Sequence, residues 1–69
     1  MNIEKLEGED FRQVIEFPNY WVSNKGRVYN AKFKRFLKGG KKGFTLTNGQ
    51  YTEHYTAKQI IWLYIESEV

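Results

Sequence analysis

The chain contains no cysteine, so neither a disulfide nor a thiolate-bound structural zinc can hold its fold together. That restriction matters because 69 residues form one domain at most. A domain of this size buries only about 60% of the surface that its unfolded chain exposes. Stability must therefore come from packing, and five phenylalanines, five tyrosines and two tryptophans provide the large rings for a small core.

Short aromatic and β-branched segments, separated by turn residues, predict a series of antiparallel strands. Asn24 and Gly26 are expected to supply the positive φ angles of one hairpin turn, and Asn48–Gly49 is a strong signal for another hairpin. A first strand or extended entry is expected within residues 11–17. Further strands are expected at residues 20–23, 27–30, 33–38, 44–47 and 50–55.

The apolar period becomes helical after residue 56. Thr56 and Gln59 fit a capping box, and apolar residues follow at helical spacing, which predicts a helix at residues 57–66. Trp62 and Leu63 widen its apolar face, so the helix is either well buried by the sheet or docks on a partner. The predicted fold class is α+β, mainly β, with a small antiparallel sheet of hairpins and one C-terminal α-helix.

Residues 1–10 are acidic and have little pattern, so we expect an acidic N-terminal arm on a single domain of residues 11–69. This arm does not resemble a secretion signal. No apolar run approaches the length of about 18 residues that a membrane span needs. We therefore expect a cytoplasmic protein without a membrane partner.

Charge is strongly segregated along the chain. The net charge is +3, but residues 25–42 carry eight cations and no acid, with acidic segments on both sides. Cations interleaved with aromatic residues fit a strand ribbon that neutralises phosphates and enters a major groove. The alternative is a solvated set of lysines that protects a sheet edge from aggregation. The candidate nucleic-acid contacts are Lys25, Arg27, Tyr29, Lys32, Lys34, Arg35, Lys38, Lys41 and Lys42.

Strand alternation limits how these cations can act together. On a strand at residues 33–38, Arg35 points to one face, whereas Lys34 and Lys38 point to the other. Not all eight cations are therefore expected to meet one ligand. Arg27 is suited to bidentate contacts with phosphate or guanine, and phosphate is the better-supported target because most protein–DNA hydrogen bonds go to the backbone.

Nothing in the chain has the pattern of a catalytic or metal site. His54 is the single histidine, and its neighbour Glu53 is expected to point to the opposite face of a strand. Metal-assisted cleavage needs a metal held by several ligands and an activated water. We therefore expect no enzyme activity, no cofactor, no metal and no small-molecule substrate.

The segment YWVSNKGRV at residues 20–28 resembles the Y-x-V-S-N-x-G-R-V signature of NUMOD4-type modules. These are nuclease-associated DNA-binding domains of phage and intron-encoded HNH homing endonucleases. The resemblance extends over about residues 11–65, including a second basic strand at residues 35–38 and the helix at residues 60–65. It implies that duplex DNA is gripped through Lys25, Arg27 and the basic strand that follows.

Two departures from the family pattern are evident. Ala57, Lys58 and Gln59 stand where the family usually has His-Arg-Leu at the start of the helix. The metal-binding and general-base residues of an HNH site do not follow that helix in this sequence. We therefore expect either a stand-alone phage-type protein derived from such a nuclease or a piece of a longer one.

Two functions fit these features. The first is a non-catalytic module of phage type that binds duplex DNA in the bacterial host cytoplasm. The second is a small phage protein that binds and modulates a host protein, through the same basic surface or through the apolar face around Trp62 and Leu63.

Overall fold

The computed structural model describes residues 4–39 and 42–66. The elements are β1 (Phe11–Gln13), β2 (Tyr20–Ser23), β3 (Val28–Asn30), β4 (Arg35–Phe36), β5 (Phe44–Thr47), β6 (Thr52–Tyr55) and α1 (Ala57–Glu66). Strands β1 to β4 form one antiparallel sheet in that order, and β5 and β6 form a separate antiparallel hairpin. The predicted class, α+β and mainly β with one C-terminal helix, is confirmed.

The largest difference from the predicted strands lies at residues 33–38, where the regular strand is only Arg35–Phe36. Residues 31–34 form a turn instead. The side-chain oxygen of Asn30 accepts hydrogen bonds from the amides of Lys32 and Phe33, at 2.9 and 3.2 Å. A short polar side chain that binds amides ahead of it competes with strand pairing, which explains the error.

One face of the four-stranded sheet carries the core. Val22 and Val28 are paired on β2 and β3, and both are fully buried. Helix α1 packs over β2 and contributes Ile60, which is also fully buried. The buried core residues are Val14, Phe17, Tyr20, Val22, Val28, Phe44, Leu46 and Ile60.

The helix begins with the predicted capping box. The backbone amide of Thr56 donates to the side-chain oxygen of Gln59 at 2.8 Å, and the amide of Gln59 donates to the Thr56 hydroxyl at 3.3 Å. The apolar face of the helix is only partly covered by the described residues, because Trp62 is 62% and Ile65 is 53% exposed. Within the same part of the chain, no helix has the length and apolarity to cross a membrane.

The junction between β5 and the end of β6 depends on Gly43. This residue has a φ of 77°, and a Cβ atom there would clash with the carbonyl oxygen of Tyr55. Gly49, in the β5–β6 turn, also has a positive φ, 90°, but its Cβ position faces open space. Gly43 is thus required for both backbone conformation and close packing, and Gly49 for conformation alone.

We expect Gly43→Ala to lower the free energy of unfolding by about 3 kcal/mol or more, because backbone strain and a steric clash add. The matched control, Gly49→Ala, meets the strain only and should lose about 1–2 kcal/mol. Urea denaturation followed by tryptophan fluorescence measures both. Equal losses in the two variants would contradict the packing role of Gly43.

Candidate nucleic-acid interface

The β2–β3 turn is built around Ser23, whose side chain is fully buried. The Ser23 hydroxyl oxygen accepts hydrogen bonds from the amides of Lys25 and Arg27, at 3.1 and 3.0 Å. The amide of Ser23 in turn donates to the carbonyl of Arg27 at 2.9 Å. A single serine thus satisfies two turn amides that would otherwise lack a partner.

Asn24 ties this turn to the segment that precedes β1. Its side chain accepts a hydrogen bond from the Asp10 amide at 3.0 Å and donates to the Gly8 carbonyl at 3.1 Å. Its own amide donates to the Asp10 carbonyl at 3.2 Å. The predicted positive φ is found at Gly26, where it is 80°, but not at Asn24, whose side chain instead binds the backbone of Gly8 and Asp10. A Cβ atom at Gly26 would lie 3.3 Å from the Ala57 carbonyl oxygen. The turn therefore lies against the start of helix α1.

The Arg27 side chain is engaged inside the protein. Its Nε and Nη2 donate to the two carboxylate oxygens of Glu9, at 2.9 and 3.0 Å, and Nη2 also donates to the Glu4 carbonyl at 2.9 Å. The guanidinium carbon lies 4.0 Å from the centre of the Phe36 ring. The predicted contact of Arg27 with phosphate or guanine stays a prediction, but most of its donors already have partners.

Glu9 is the partner that the sequence did not reveal. Its side chain is completely buried, whereas that of Arg27 keeps 32% of its surface exposed. Burial by itself would raise the pKa of the Glu9 carboxyl. Hydrogen bonds from the Leu6 amide, Arg27 and Ser23, together with the charge of Arg27, outweigh burial and lower that pKa below its ordinary value of 4.5. Glu9 is therefore held as a carboxylate.

Tyr29 lies in the same aromatic group as Phe36. It is 7% exposed, and its ring meets that of Phe36 edge-on with the centres 5.0 Å apart. Phe11 lies 6.0 Å from Phe36 on the other side. Because Tyr29 and Phe36 alternate with the core residues along their strands, this group lies on the sheet face opposite the core. Tyr29 thus packs within the sheet and offers little surface to a ligand.

The remaining candidate cations divide into two sets. Lys25 is exposed at the β2–β3 turn, at the end of β3 opposite to the turn at residues 31–34. Lys41 lies outside the described residues. The exposed candidate cations beyond β3 are Lys32, Lys34, Arg35, Lys38 and Lys42. We call residues 31–38, which carry the first four of these, the basic turn.

A groove of about 430 Å³ lies beside the basic turn. Arg35 and Lys38, which strand alternation places on opposite faces, both line this groove, because regular strand geometry ends at Phe36. The predicted alternation therefore does not keep these two cations apart. The lining residues are Tyr20, Asn30, Phe33, Arg35, Phe36, Leu37, Lys38 and Thr45.

His54 lies on the β5–β6 hairpin, beside Thr45, which lines this groove. Its Nδ1 is 3.2 Å from the hydroxyl oxygen of Thr45 on the paired strand, and both residues are exposed. The described residues include no group of three histidine, cysteine or acidic side chains that could hold a metal ion. The hydrogen bond to Thr45 gives His54 a structural place in the hairpin.

Together these features define a small module of β-hairpins whose exposed cations are concentrated beyond β3. A family model described as the NUMOD4 motif matches residues 9–52, more than half of the chain. The chain belongs to this family of nuclease-associated modules, which confirms the resemblance.

One curated relative was found. An uncharacterized HNH endonuclease of Acanthamoeba polyphaga mimivirus is 46% identical to this chain over 33 residues. The match takes in 48% of the chain but only 8% of the relative, so the chain corresponds to a small piece of that protein. No solved structure matches the chain.

The Arg27–Glu9 pair makes stability depend on pH in a defined direction. Because the pKa of Glu9 is lowered on folding, its contribution is fully present above the ordinary carboxyl pKa and is lost as the pH falls through the lowered value. We expect Glu9→Gln to lower the free energy of unfolding by about 1–3 kcal/mol at neutral pH. The difference from the unaltered protein should shrink as the pH falls below 4.5.

Thermal and urea unfolding between neutral and acidic pH measure this difference. Glu7→Gln is the matched control, because Glu7 is exposed and removal of its charge leaves the pair intact. A gap between Glu9→Gln and the unaltered protein that stays constant down to strongly acidic pH would contradict the account of the ion pair.

Proposed function

We propose that the protein is a non-catalytic module that binds duplex DNA, with the basic turn as its principal phosphate-contacting surface. The observation that carries this proposal is the concentration of Lys32, Lys34, Arg35 and Lys38 in eight residues without an acid. All four are exposed, and none forms an ion pair with another described residue. Family membership supports the proposal, because NUMOD4 modules are associated with nucleases and are not catalytic domains themselves.

The proposal assigns different roles to the sequence-predicted contacts. Lys42, which is exposed and follows the basic turn in the sequence, extends the proposed surface, and Lys41 remains a candidate from the sequence alone. Lys25 provides a separate contact at the far end of β3. Arg27 and Tyr29 serve mainly to hold the sheet, because the first pairs with Glu9 and the second is buried. Phosphate contacts place the protein on a duplex without reading its sequence.

The backbone of Lys34 gives independent support. Lys34 has a φ of 54°, and no other non-glycine residue in the described part of the chain has a positive φ. That conformation costs about 1–2 kcal/mol for a residue with a Cβ atom. A lysine at a position that suits glycine or asparagine better is consistent with a role for its charge, since strain concentrates at functional sites.

Salt dependence tests the proposed surface. If about four to six cations meet phosphates, the slope of log K against log salt should be about −4 to −5. Removal of two cations with Lys32→Gln and Lys34→Gln should make that slope shallower by about 2. Fluorescence anisotropy with a labelled random duplex, at several salt concentrations, provides the slopes.

The matched control is the pair Lys5→Gln and Lys58→Gln, which removes the same charge from exposed positions outside the basic turn. Its slope should stay close to that of the unaltered protein. Absence of binding in low salt, or an equal change in the control, would refute the proposed surface. Metal-dependent nicking of plasmid DNA by the pure protein would refute the non-catalytic role.

Lys34→Asn separates stability from binding. Asparagine tolerates the left-handed conformation, so we expect the free energy of unfolding to rise by about 0.5–1 kcal/mol. The loss of one phosphate contact should at the same time make the salt slope shallower by about 0.9. Urea denaturation and the anisotropy titration measure the two effects, and a variant that is more stable yet binds DNA unchanged would remove Lys34 from the interface.

A second candidate function rests on a different surface. Trp62 and Ile65 on α1 are more than half exposed. An apolar surface of this kind supports binding of a host protein, as a small viral modulator would do. Capture from a nuclease-treated bacterial lysate, with Trp62→Ala as the comparison, tests it. A stoichiometric protein partner that is lost in the variant favours this function over DNA binding.

The proposed site of action is the cytoplasm, and the bacterial host cytoplasm if the protein is encoded by a phage. Intracellular duplex DNA would be accessible there. Fractionation of cells that express the tagged chain, followed by detection in soluble, membrane and secreted fractions, tests this assignment.

A further inference from the structure

We propose that Phe33 is a wedge that inserts between base pairs of the duplex held by the basic turn. This inference rests on the proposed DNA binding and adds a contact to the bases. Phe33 is 61% exposed, whereas Phe17, Phe11 and Phe44 are all buried in the domain. Exposure of a large ring is unfavourable in water, so an apolar environment should cover it on binding.

The ring is presented by an ordered turn. Asn30 is 9% exposed, and its side-chain oxygen accepts hydrogen bonds from the backbone amides of Lys32 and Phe33. On the other side of Phe33, Lys34 reverses the chain with its positive φ. The backbone beneath the ring is therefore fixed before binding, which reduces the entropy lost when the ring enters a base step.

Charge complementarity identifies the partner as a polyanion. The Nζ atom of Lys32 lies 5.8 Å from the centre of the Phe33 ring, and the guanidinium carbon of Arg35 lies 5.6 Å from it. Lys34 and Lys38 add two further exposed cations within five residues of Phe33. A protein surface that covered the ring would have to accommodate these charges, whereas a base step is bordered by phosphates on both strands.

Known DNA wedges have the same chemistry. Apolar side chains inserted from a minor-groove binding surface unstack a base step and kink the duplex, while neighbouring cations hold the backbone. Pyrimidine–purine steps such as TA unstack most easily. The proposal therefore includes a preference for flexible steps, which arises from deformation of the duplex and needs no hydrogen bond to a base.

The test uses the full chain and a short duplex with 2-aminopurine beside a central TA step. Binding of the unaltered protein should raise 2-aminopurine fluorescence, since the probe brightens when it unstacks. Phe33→Ala should abolish that rise and weaken binding by roughly 5- to 100-fold. Its salt slope should stay unchanged, because no cation is lost. Phe33→Leu, which keeps an apolar wedge, should retain part of both signals.

Ile15→Ala is the matched control, because Ile15 is an apolar residue with 80% exposure outside the basic turn. It should leave fluorescence and affinity unchanged. Salt-dependent binding without any fluorescence rise, or equal effects of Phe33→Ala and Ile15→Ala, would overturn the wedge and leave the proposed DNA binding intact. No binding by the unaltered protein would overturn both. Thermal unfolding confirms that each variant is folded, and Phe33→Leu keeps the test decisive if Phe33→Ala is not.

Discussion

The ion pair between Arg27 and the buried carboxylate of Glu9 joins three parts of the chain. Arg27 follows the β2–β3 turn, Glu9 precedes β1, and Phe36 on β4 lies under the guanidinium. A buried carboxylate that lacked its partner would carry a large desolvation penalty, so the pair is stable only if turn, N-terminal segment and sheet are all in place. This requirement makes their formation cooperative.

The remaining signature residues extend the same network. Ser23 binds two turn amides, Asn24 binds the backbone at Gly8 and Asp10, and Gly26 lets the start of α1 approach. A motif that marks membership of this nuclease-associated family therefore consists mostly of residues that hold the fold. The exposed residue within it is Lys25. The residues that identify the family are therefore mostly different from those proposed to contact DNA.

Much of the fold could be predicted from local pattern. Strands β2 and β5, the helix bounds and the capping box all follow from alternation, helical spacing and end signals within a few residues. The pairing of Arg27 with Glu9 could not be predicted, because 18 residues separate them and nothing local to either identifies the other. The composition of residues 1–10 indicated only an acidic N-terminal arm, and the separate status of that arm stays a prediction. The turn that shortens β4 could have been predicted from Asn30, since short amide side chains favour turns.

The separation between the β2–β3 turn and the basic turn has a consequence for how such modules diversify. None of the four cations of the basic turn belongs to the described core or to the Glu9 network. Substitutions of Lys32, Arg35 or Lys38 should therefore destabilise the fold little. Those at Ser23, Asn24 or Gly26 should destabilise it strongly. Residues 31–38 can therefore vary in sequence without loss of the fold, while the family signature at the other end of β3 is retained.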